Sequence, residues 1–326
     1  MTDSAISKVS VIVVNFNAGK TLPRCLQALT AQTLPAARII VVDNASSDGS
    51  IEAVQAQFPG IETFVLKENT GFAAANNLAI QLCNSEFVAL LNPDAFPEKN
   101  WLEELVKAAE TRPQAASFGS CQLMANDPRH LDGVEDVCHI SGLIWRKGHG
   151  RQHSESDRQP RKIFSPCAAA ALYRLQALRQ VGGFDPDFFC YVEDVDLGFR
   201  LRLLGWQSWY VPTAVVLHIG SVTTGGMHSR FAVYHGHRNL VWMFCKNMPA
   251  LLLWPLAPLH LAMNLVSVLW FSLRGHGCTI FKAKLDALLG LPKIWKKRTA
   301  IQKTRTISAW QVFSMLNRDL IPHRSR

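Results

Sequence analysis

The stretch from residue 188 to residue 205 carries two adjacent acids, Glu193 and Asp194, whose spacing could support chemistry. Four apolar side chains between residues 192 and 203 recur at helical spacing, which predicts a helix with one buried face. Both acids then lie in or beside the first helical turn, where free N–H groups and the helix dipole favour an ionised carboxylate. A carboxylate held charged beside a cleft can act as a general base. Taken alone, both acids are more simply explained as helix caps.

Two further features support this helix. Asp196 and Arg200 lie four residues apart and can form an ion pair on another face of the helix. Gly205 follows the last apolar position, where a left-handed cap favours glycine.

Other polar side chains that could bind a charged ligand stand at the ends of predicted strands. They are Asn15, Asn17, Asp43, Asn69, Asp94 and, much later in the chain, His218. A carboxylate can accept a hydrogen bond from a nucleotide base or a ribose hydroxyl, and carboxylate with imidazole can hold a hard cation on a diphosphate. Each residue by itself has a simpler explanation as a turn residue, a helix cap or a packed histidine.

The elements that must position these side chains alternate between apolar runs and amphipathic segments. Strands are predicted at 9–16, 38–43, 61–66, 86–91 and 115–123, and helices at 20–32, 71–83 and 99–110, with a further helix after the turn at 46–50. This alternation predicts an α/β fold with a mostly parallel, Rossmann-like sheet flanked by helices and right-handed crossovers. Ligands bind such sheets at the carboxyl ends of the strands, so the polar residues above should share one edge.

Residues 126–217 differ in composition from the part of the chain before them. Residues 126–164 are polar and broken by Gly and Pro, which predicts loops and a hairpin. Residues 166–173 are small and apolar and should return to the sheet, and 206–211 and 215–217 are predicted as two short strands ending at His218.

Common nucleotide and hydrolase motifs do not fit. Gly19-Lys20-Thr21 follows the first strand, but Val14 stands where a phosphate loop needs its first glycine. The dinucleotide fingerprint is absent after that strand, and neither the zinc-protease nor the serine-hydrolase motif occurs.

Five stretches together resemble family 2 glycosyltransferases of the GT-A fold, close to their bacterial rhamnosyltransferase-like branch. The stretches are 11–17 (VIVVNFN), 42–50 (VDNASSDGS), 69–77 (NTGFAAANN), 91–94 (LNPD) and 191–197 (YVEDVDL). The resemblance covers about residues 8–225, and it is specific because the motifs occur as an ordered set.

The resemblance implies roles for individual residues. Asp43 would contact the nucleotide base, Asp94 would hold a divalent cation (Mg²⁺ or Mn²⁺) on the diphosphate, and His218 would be a further metal ligand. Asp194 would be the general base. The donor pocket would be shaped by Asn69, Gly71 and Asn76, with Asn15 and Asn17 on the same edge. The sequence departs from the family's Asp-x-Asp metal signature, because Asn92 and Pro93 precede Asp94 and leave one carboxylate.

The charge of the chain is unevenly distributed. Residues 1–225 hold 19 Lys and Arg against 23 Asp and Glu, whereas residues 226–326 hold 15 against 2. We therefore predict a GT-A domain over 1–225 and a basic, helical region over 226–326 that meets an anionic membrane surface. Basic residues near Trp295 and Trp310 would also suit RNA, but no RNA-binding signature occurs, so no nucleic-acid partner is expected. Scattered cysteines and a polar N-terminus predict a cytoplasmic body.

The segment 250–273 contains no charged residue and exceeds the roughly 20 residues that span a bilayer. A single span would place the basic tail on the side opposite the catalytic body, against the positive-inside bias. We therefore predict a bent, re-entrant or in-plane segment, with Lys282–Leu291 and the Lys293–Arg298 cluster on anionic headgroups. A buried core helix is the remaining alternative.

The resemblance implies inverting transfer of a sugar from dTDP-rhamnose, or next a UDP-sugar, to a saccharide or polyprenyl-linked acceptor at the cytoplasmic face of the plasma membrane. Such a reaction would belong to cell-envelope polysaccharide synthesis. Two alternatives stay open: a membrane-tethered protein that binds nucleotide sugars without turnover, which Asn92 favours, and a nucleotidyltransferase.

Overall fold

The computed structural model describes residues 8–220, 225–226 and 228–319. Its strands are Val9–Asn15 (β1), Arg38–Asp43 (β2), Glu62–Val65 (β3), Phe87–Leu91 (β4), Ala95–Pro97 (β5), Ala115–Met124 (β6), Asp127–Gly133 (β7), Glu135–Cys138 (β8), Ile144–Lys147 (β9), Arg161–Lys162 (β10), Ala170–Arg174 (β11) and Gln207–His218 (β12). Its helices are Thr21–Thr30 (α1), Ser50–Gln57 (α2), Gly71–Leu82 (α3), Trp101–Glu110 (α4), Leu175–Gln180 (α5), Glu193–Leu203 (α6), Arg230–Asn247 (α7), Ala250–Phe271 (α8), Gly277–Thr304 (α9) and Ala309–Met315 (α10).

The main sheet has the strand order β10-β12-β6-β11-β4-β1-β2-β3. Strand β1 pairs in parallel with β2 and β4, β2 with β3, and β6 with β12. The mostly parallel α/β sheet expected from the sequence is therefore confirmed. Strand β11 differs, because it runs antiparallel between β4 and β6. The two short strands expected at 206–211 and 215–217 form one strand, β12, with a register shift between Val211 and Val215.

The central strands are apolar because helices cover both faces of the sheet. All residues of β1 and β4 are buried. On one face α1 contributes Leu22, Leu26 and Leu29, and on the other face α3 contributes Ala75 and Ala79. Because both faces of these strands are buried, the polar side chains that a ligand could reach lie at the strand ends.

The polar segment 126–164 is ordered around a separate hairpin. Strands β8 and β9 pair antiparallel as a two-stranded sheet, with Asp136 opposite Arg146. The hairpin is tied to the body by a hydrogen bond from the Asp136 N–H to the Ser165 carbonyl (2.9 Å). The expectation of a hairpin in this segment is confirmed.

Helices α8 and α9 form an antiparallel hairpin that turns at Arg274–Gly275. Gly275 has φ +81°, which a glycine adopts without steric cost. The Trp254 and Trp295 rings lie 6.1 Å apart near the open end, and Lys284 Nζ lies 2.5 Å from Asn264 Oδ1 further along. After α9 and α10 the chain returns to the body, where the Asn317 N–H donates to the Cys138 carbonyl (2.9 Å). Both ends of the hairpin therefore lie on the side of the body.

The outward face of this helical hairpin is apolar. Ala250–Thr304 is long and apolar enough to cross a membrane by length and composition, and only 11% of its most apolar window is buried. The large exposed side chains are Leu251, Trp254, Leu261, Leu265, Val266, Leu269, Trp270, Leu273, Phe281, Leu285, Leu288 and Leu289. A buried core helix, the alternative interpretation, is not what the structure contains.

Several cations of the tail face inward, which corrects part of our expectation. Lys297 bonds to Asp185 and Asp187, and Lys293 Nζ lies 2.6 Å from an Asp187 carboxylate oxygen. Buried Arg298 donates to main-chain carbonyls, one of them that of Cys245 (2.8 Å). The expectation that the Lys293–Arg298 cluster lies on anionic headgroups is therefore wrong for Lys297, which pairs with acids of the body, and for Arg298, which is buried on main-chain carbonyls. For exposed Lys293 and Lys296 it stays a prediction.

Helix α7 is anchored to the body by a buried ion-pair cluster. Lys246 is fully buried, and its Nζ lies 2.5 Å from Asp185 Oδ2 and 2.8 Å from Asp196 Oδ1. Asp196 also accepts from Arg200 Nε (2.9 Å), so the ion pair expected within α6 is confirmed. The predicted boundary after residue 225 stays a prediction, although these contacts join its two sides.

Candidate active site

Asp94 and His218 meet at the carboxyl edge of the sheet. Asp94 follows β4, and β5 pairs with the end of β12 in a register that places Ala95 opposite His218. Nε2 of His218 consequently lies 3.3 Å from Asp94 Oδ1. On the other side of the ring, Nδ1 lies 2.9 Å from Asp132 Oδ2, in β7. All three side chains are buried.

The charges around His218 suit a cation site. Burial disfavours the imidazolium, but the Asp132 and Asp94 carboxylates overcome this and raise the pKa of His218 to about 9. Burial likewise opposes ionisation of Asp132, but hydrogen bonds from His149 and His218 and the charge of Arg146 hold its pKa well below its usual range. Among the described residues, Nε2 of His218 has no hydrogen-bond partner. A metal-ligating histidine usually donates one ring N–H to a carboxylate and presents its other nitrogen to the metal. Asp132 and Nδ1 of His218 have this arrangement, and Nε2 lies beside the Asp94 carboxylate.

Asp194 and Glu193 open α6, as the sequence predicts, but their environments differ. Asp194 is half-buried; its Oδ2 accepts from the Ala168 N–H (3.2 Å) and its Oδ1 from the Val195 N–H (2.8 Å). Glu193 is buried, and burial together with the Asp194 charge raises the pKa of Glu193 well above its usual value. Asp194 is therefore the acid of this pair that a substrate can reach.

The loop before Asp194 has an unusual backbone. Phe189, Tyr191 and Val192 have φ of 64°, 68° and 72°, a left-handed region that residues other than glycine rarely adopt. Asn239 of α7 holds this loop, since its Nδ2 donates to the carbonyls of Phe188 (2.8 Å), Cys190 (3.0 Å) and Tyr191 (2.8 Å). Sequence reasoning missed Asn239, because no local pattern connects it to a loop about fifty residues earlier.

At the ends of β1 and β2, Asn15 and Asp43 form a buried hydrogen-bonded pair. Asn15 Nδ2 donates to Asp43 Oδ1 (2.7 Å) and Ser50 Oγ (2.8 Å), and the Ser46 N–H donates to Asp43 Oδ2 (3.0 Å). Asp43 has no exposed surface, so in this structure its side chain orders the 46–50 loop. Its contact with a nucleotide base stays a prediction. Asn17 is exposed at the same edge and accepts from the Ser47 N–H (2.8 Å).

Gly71 lies where α3 begins, against the loop that precedes Asp194. It has φ +83°, and a Cβ there would lie 2.6 Å from the Phe189 ring. Asn69 Oδ1 accepts from the Gly71 N–H (2.9 Å) and so shapes this turn. Asn76 is buried, and its Nδ2 donates to the Phe72 carbonyl of its own helix (2.9 Å). That bond explains a structural role for Asn76, and its place in a donor pocket stays a prediction.

The β8–β9 hairpin adds residues that sequence reasoning missed. Arg146 Nη1 lies 3.0 Å from Asp132 Oδ2, and Arg146 Nε lies 3.4 Å from Asp136 Oδ1. Asp136, Cys167 and Asp194 each place a side-chain ligand atom within 4.8 Å of the others. The structure thus brings Asp94, His218 and Asp194 into one network through Asp132, Arg146 and Asp136. Asp43 lies on the neighbouring part of the edge, as the last residue of β2.

Comparison with known proteins defines the class. Residues 10–182 match the model of glycosyl transferase family 2, and the chain belongs to this family. The sheet is the GT-A fold. It is similar to GalNAc-T7 solved with UDP, GalNAc and Mn²⁺ (TM-score 0.60, 16% identity, 75% of this chain and 48% of that one). It is also similar to the mannosyltransferase PcManGT from Pyrobaculum calidifontis, solved with GDP-Man and Mn²⁺ (TM-score 0.53, 17% identity, 94% and 85%).

Among characterised relatives, the chain is similar to the N-acetylglucosaminyl-diphospho-decaprenol L-rhamnosyltransferase of Mycobacterium tuberculosis. The identity is 29% over 255 residues, which cover 69% of this chain and 80% of the relative. The pre-mycofactocin glycosyltransferase of Mycobacterium tuberculosis is 31% identical over 211 residues, 61% of this chain and 41% of that protein. The expected rhamnosyltransferase-like character is confirmed.

Proposed function

We propose that this glycosyltransferase moves rhamnose, with inversion, from dTDP-rhamnose to a hydroxyl of a polyprenyl-diphosphate-linked saccharide in cell-envelope polysaccharide synthesis. A UDP-sugar is the next candidate donor. The similarity to a rhamnosyltransferase whose acceptor is a lipid diphosphate supports this choice of substrates. The observation that carries the proposal is the network of contacts from Asp94 and His218 to Asp194 at one edge of the sheet.

Asp194 acts as the general base in this proposal. Its carboxylate takes the proton of the acceptor hydroxyl while that oxygen bonds to the anomeric carbon, and the bond from that carbon to the diphosphate oxygen breaks. The electron pair leaves with the nucleoside diphosphate. Hydrogen bonds from Ala168 and Val195 fix both carboxylate oxygens, so the base is oriented before the acceptor arrives.

Asp94 and His218 are the residues that would hold a divalent cation, Mg²⁺ or Mn²⁺. Mn²⁺ is present with two structurally similar enzymes, which supports the proposal. Bound there, the cation would supply charge neutralisation to the departing diphosphate. Asp132 orients the imidazole, so that Nε2 points towards Asp94. Asn92 leaves Asp94 as the single carboxylate of this signature, and His218 would complete the ligand pair.

We place the protein at the cytoplasmic face of the plasma membrane, and the apolar face of the α8–α9 hairpin supports association with a membrane. Because both ends of the hairpin lie on the side of the body, it can enter the bilayer and return without placing the body and the tail on opposite sides. We infer that burial of apolar surface contributes more to this association than headgroup charge does, because Lys297 and Arg298 are held by contacts within the protein. A body held at the membrane would meet a lipid-linked acceptor and a soluble nucleotide sugar together.

The test is an assay of the purified full-length protein in detergent with dTDP-rhamnose, with UDP-sugars in parallel, and a short-chain polyprenyl diphosphate N-acetylglucosamine. We expect release of nucleoside diphosphate and a glycosylated lipid, and stereochemistry read by NMR of the product. Asp194→Asn should reduce turnover by about three orders of magnitude or more while donor binding is retained. Donor binding without product would identify the nucleotide-sugar-binding alternative, and release of pyrophosphate would identify a nucleotidyltransferase.

A further inference from the structure

Helix α9 packs against α7 from the open end of the helical hairpin to its turn. Three hydrogen bonds mark this contact: Arg298 to the Cys245 carbonyl (2.8 Å), Trp242 to the Ala287 carbonyl (2.9 Å) and Lys284 to the His237 carbonyl (2.8 Å). Close to the turn, Ile280 and Ala283 have no exposed surface. Because residue numbers rise together in these pairs, the two helices run side by side in the same direction.

Helix α8 is fastened to the same support. Near the turn, the Phe271 ring lies 4.7 Å from the His237 ring of α7. Near the middle of α8, the His260 ring stacks on Phe244 of α7 at 4.0 Å, and its Nδ1 donates to the Ser141 carbonyl of the body (2.6 Å). Both helices of the hairpin are thus held at several levels between the open end and the turn.

The opposite side of α7 lies on the body. None of residues 231–249 is exposed. Lys246 bonds to buried acids of the body near the end of α7, and Asn239 holds the loop before α6 near its middle. At the start of α7, the Phe231 ring lies 6.1 Å from the Phe189 ring. Body, α7 and hairpin therefore form successive layers, and the hairpin lies along the body rather than projecting from it.

The exposed side of the hairpin combines apolar side chains with cations. Besides the large apolar side chains named above, the exposed charged residues of 250–304 are all cations: Arg274, Lys282, Lys293, Lys296 and Lys303. The acid of this range, Asp286, is half-buried and accepts from Tyr234 Oη (2.5 Å). A second copy packed on this face by two-fold symmetry would bring like charges together, whereas an anionic lipid leaflet attracts them. The face therefore fits a bilayer surface.

Entry of the hairpin tip first does not suit this arrangement. The turn carries Arg274, and Lys282 follows in the second turn of α9, so both cations would precede most of the apolar face into the hydrocarbon, where charged side chains are strongly disfavoured. Since α7 lies beside the turn, α7 and the body would also have to follow the hairpin into the bilayer.

We propose that the α8–α9 hairpin lies flat in the membrane interface along its whole length, with its turn at the same depth as its open end. This inference rests on the membrane association in the proposed function. The apolar side chains then reach the acyl chains, and the cations lie at the level of the anionic headgroups. The layer order also places the proposed base. The loop before Asp194 contacts Phe231, so one helix layer, about 10 Å thick, separates this loop from the hairpin, and a lipid-linked acceptor would meet the base at the membrane surface.

The experiment measures the depth of nitroxide labels on the full-length protein bound to vesicles of phosphatidylethanolamine and phosphatidylglycerol. Cys278 is exposed, whereas the other cysteines are buried or half-buried, so Cys278→Ser provides the background for single labels. Leu251→Cys, Leu265→Cys and Leu273→Cys place labels at the open end, the middle and the turn, at positions that are all exposed. Gln27→Cys is the control, since this exposed residue lies on α1, which covers the other face of the sheet.

We expect the three hairpin labels to lie at one shallow depth, about 5–10 Å into the boundary between headgroups and acyl chains, and the Gln27→Cys label to stay in water. Tip-first entry would instead place the Leu265→Cys label deeper than the Leu251→Cys label by about 20 Å, the rise of the helix between these two residues.

A depth that increases from the open end to the turn would overturn the inference. Labels that lie in protein contact rather than in lipid, while the protein floats with vesicles, would also overturn it and would identify a second copy on this face. If the protein does not float at all, the proposed membrane association fails together with the orientation. Transfer to the short-chain acceptor in detergent, measured on the same variants, records separately whether the proposed enzymatic function holds.

Discussion

Cation binding should depend steeply on pH, because a proton and a metal ion compete for Nε2 of His218. Asp132 and Asp94 raise the pKa of His218 to about 9, so the ring is mostly protonated at neutral pH. A metal ligand must be the neutral imidazole, and affinity therefore rises as the pH rises towards 9. Between pH 6.5 and pH 8.5 the competing proton changes the apparent Kd by about 75-fold, or about 2.6 kcal/mol.

Calorimetric titration of Mn²⁺ into the full-length protein, with saturating dTDP, measures this dependence. His218→Ala should bind Mn²⁺ weakly and without the steep slope. Asp132→Asn should lose about 10- to 100-fold in affinity, since it removes the carboxylate that orients the ring. A wild-type Kd that changes by less than about threefold over this range would show that His218 is not a ligand.

Three further outcomes test other parts of the structure. Lys246→Met should lower the free energy of unfolding by about 3–5 kcal/mol in urea titrations, because it leaves the buried Asp185 and Asp196 carboxylates without their shared cation; a loss under about 1 kcal/mol would contradict this. Gly71→Ala should destabilise by about 1–3 kcal/mol and reduce transfer, whereas Gly60→Ala, where a Cβ meets nothing within 4 Å, should change neither. Leu285→Glu with Leu289→Glu should release the protein from membranes in flotation assays, whereas 1 M NaCl should not release wild type; release by salt alone would instead indicate headgroup binding.

The positions of the sheet and of its ligand-binding edge could be predicted because they depend on local patterns. Runs of Val and Ile mark β1 and β2, and Arg38–Asp43 has the predicted bounds. Helix α6 could also be placed, since the spacing of its apolar residues predicts it and Gly205 at φ +84° follows its end. These signals lie within about twenty residues of each other, and packing does not override them.

The rest of the site could not be predicted because its contacts join distant segments. Asp132 and His218 are 86 residues apart, and the polar segment that holds Asp132 has no signal beyond that of a hairpin. Strand β11 is short and apolar, which is compatible with either direction in a sheet. Charge counting located the basic tail correctly but could not show that Asp185 and Asp187 pair with part of it.

The family match ends at residue 182, yet the proposed base, Asp194, lies beyond it, and the loop before Asp194 is held by a helix that begins at residue 230. Asn239 fixes the loop with the left-handed backbone, and Lys246 ties the same helix to α6. A shortened protein made to avoid the apolar hairpin should therefore keep α7, because cutting at residue 225 would remove the support of the loop that precedes Asp194. The family match and the part of the chain that supports Asp194 therefore end at different residues.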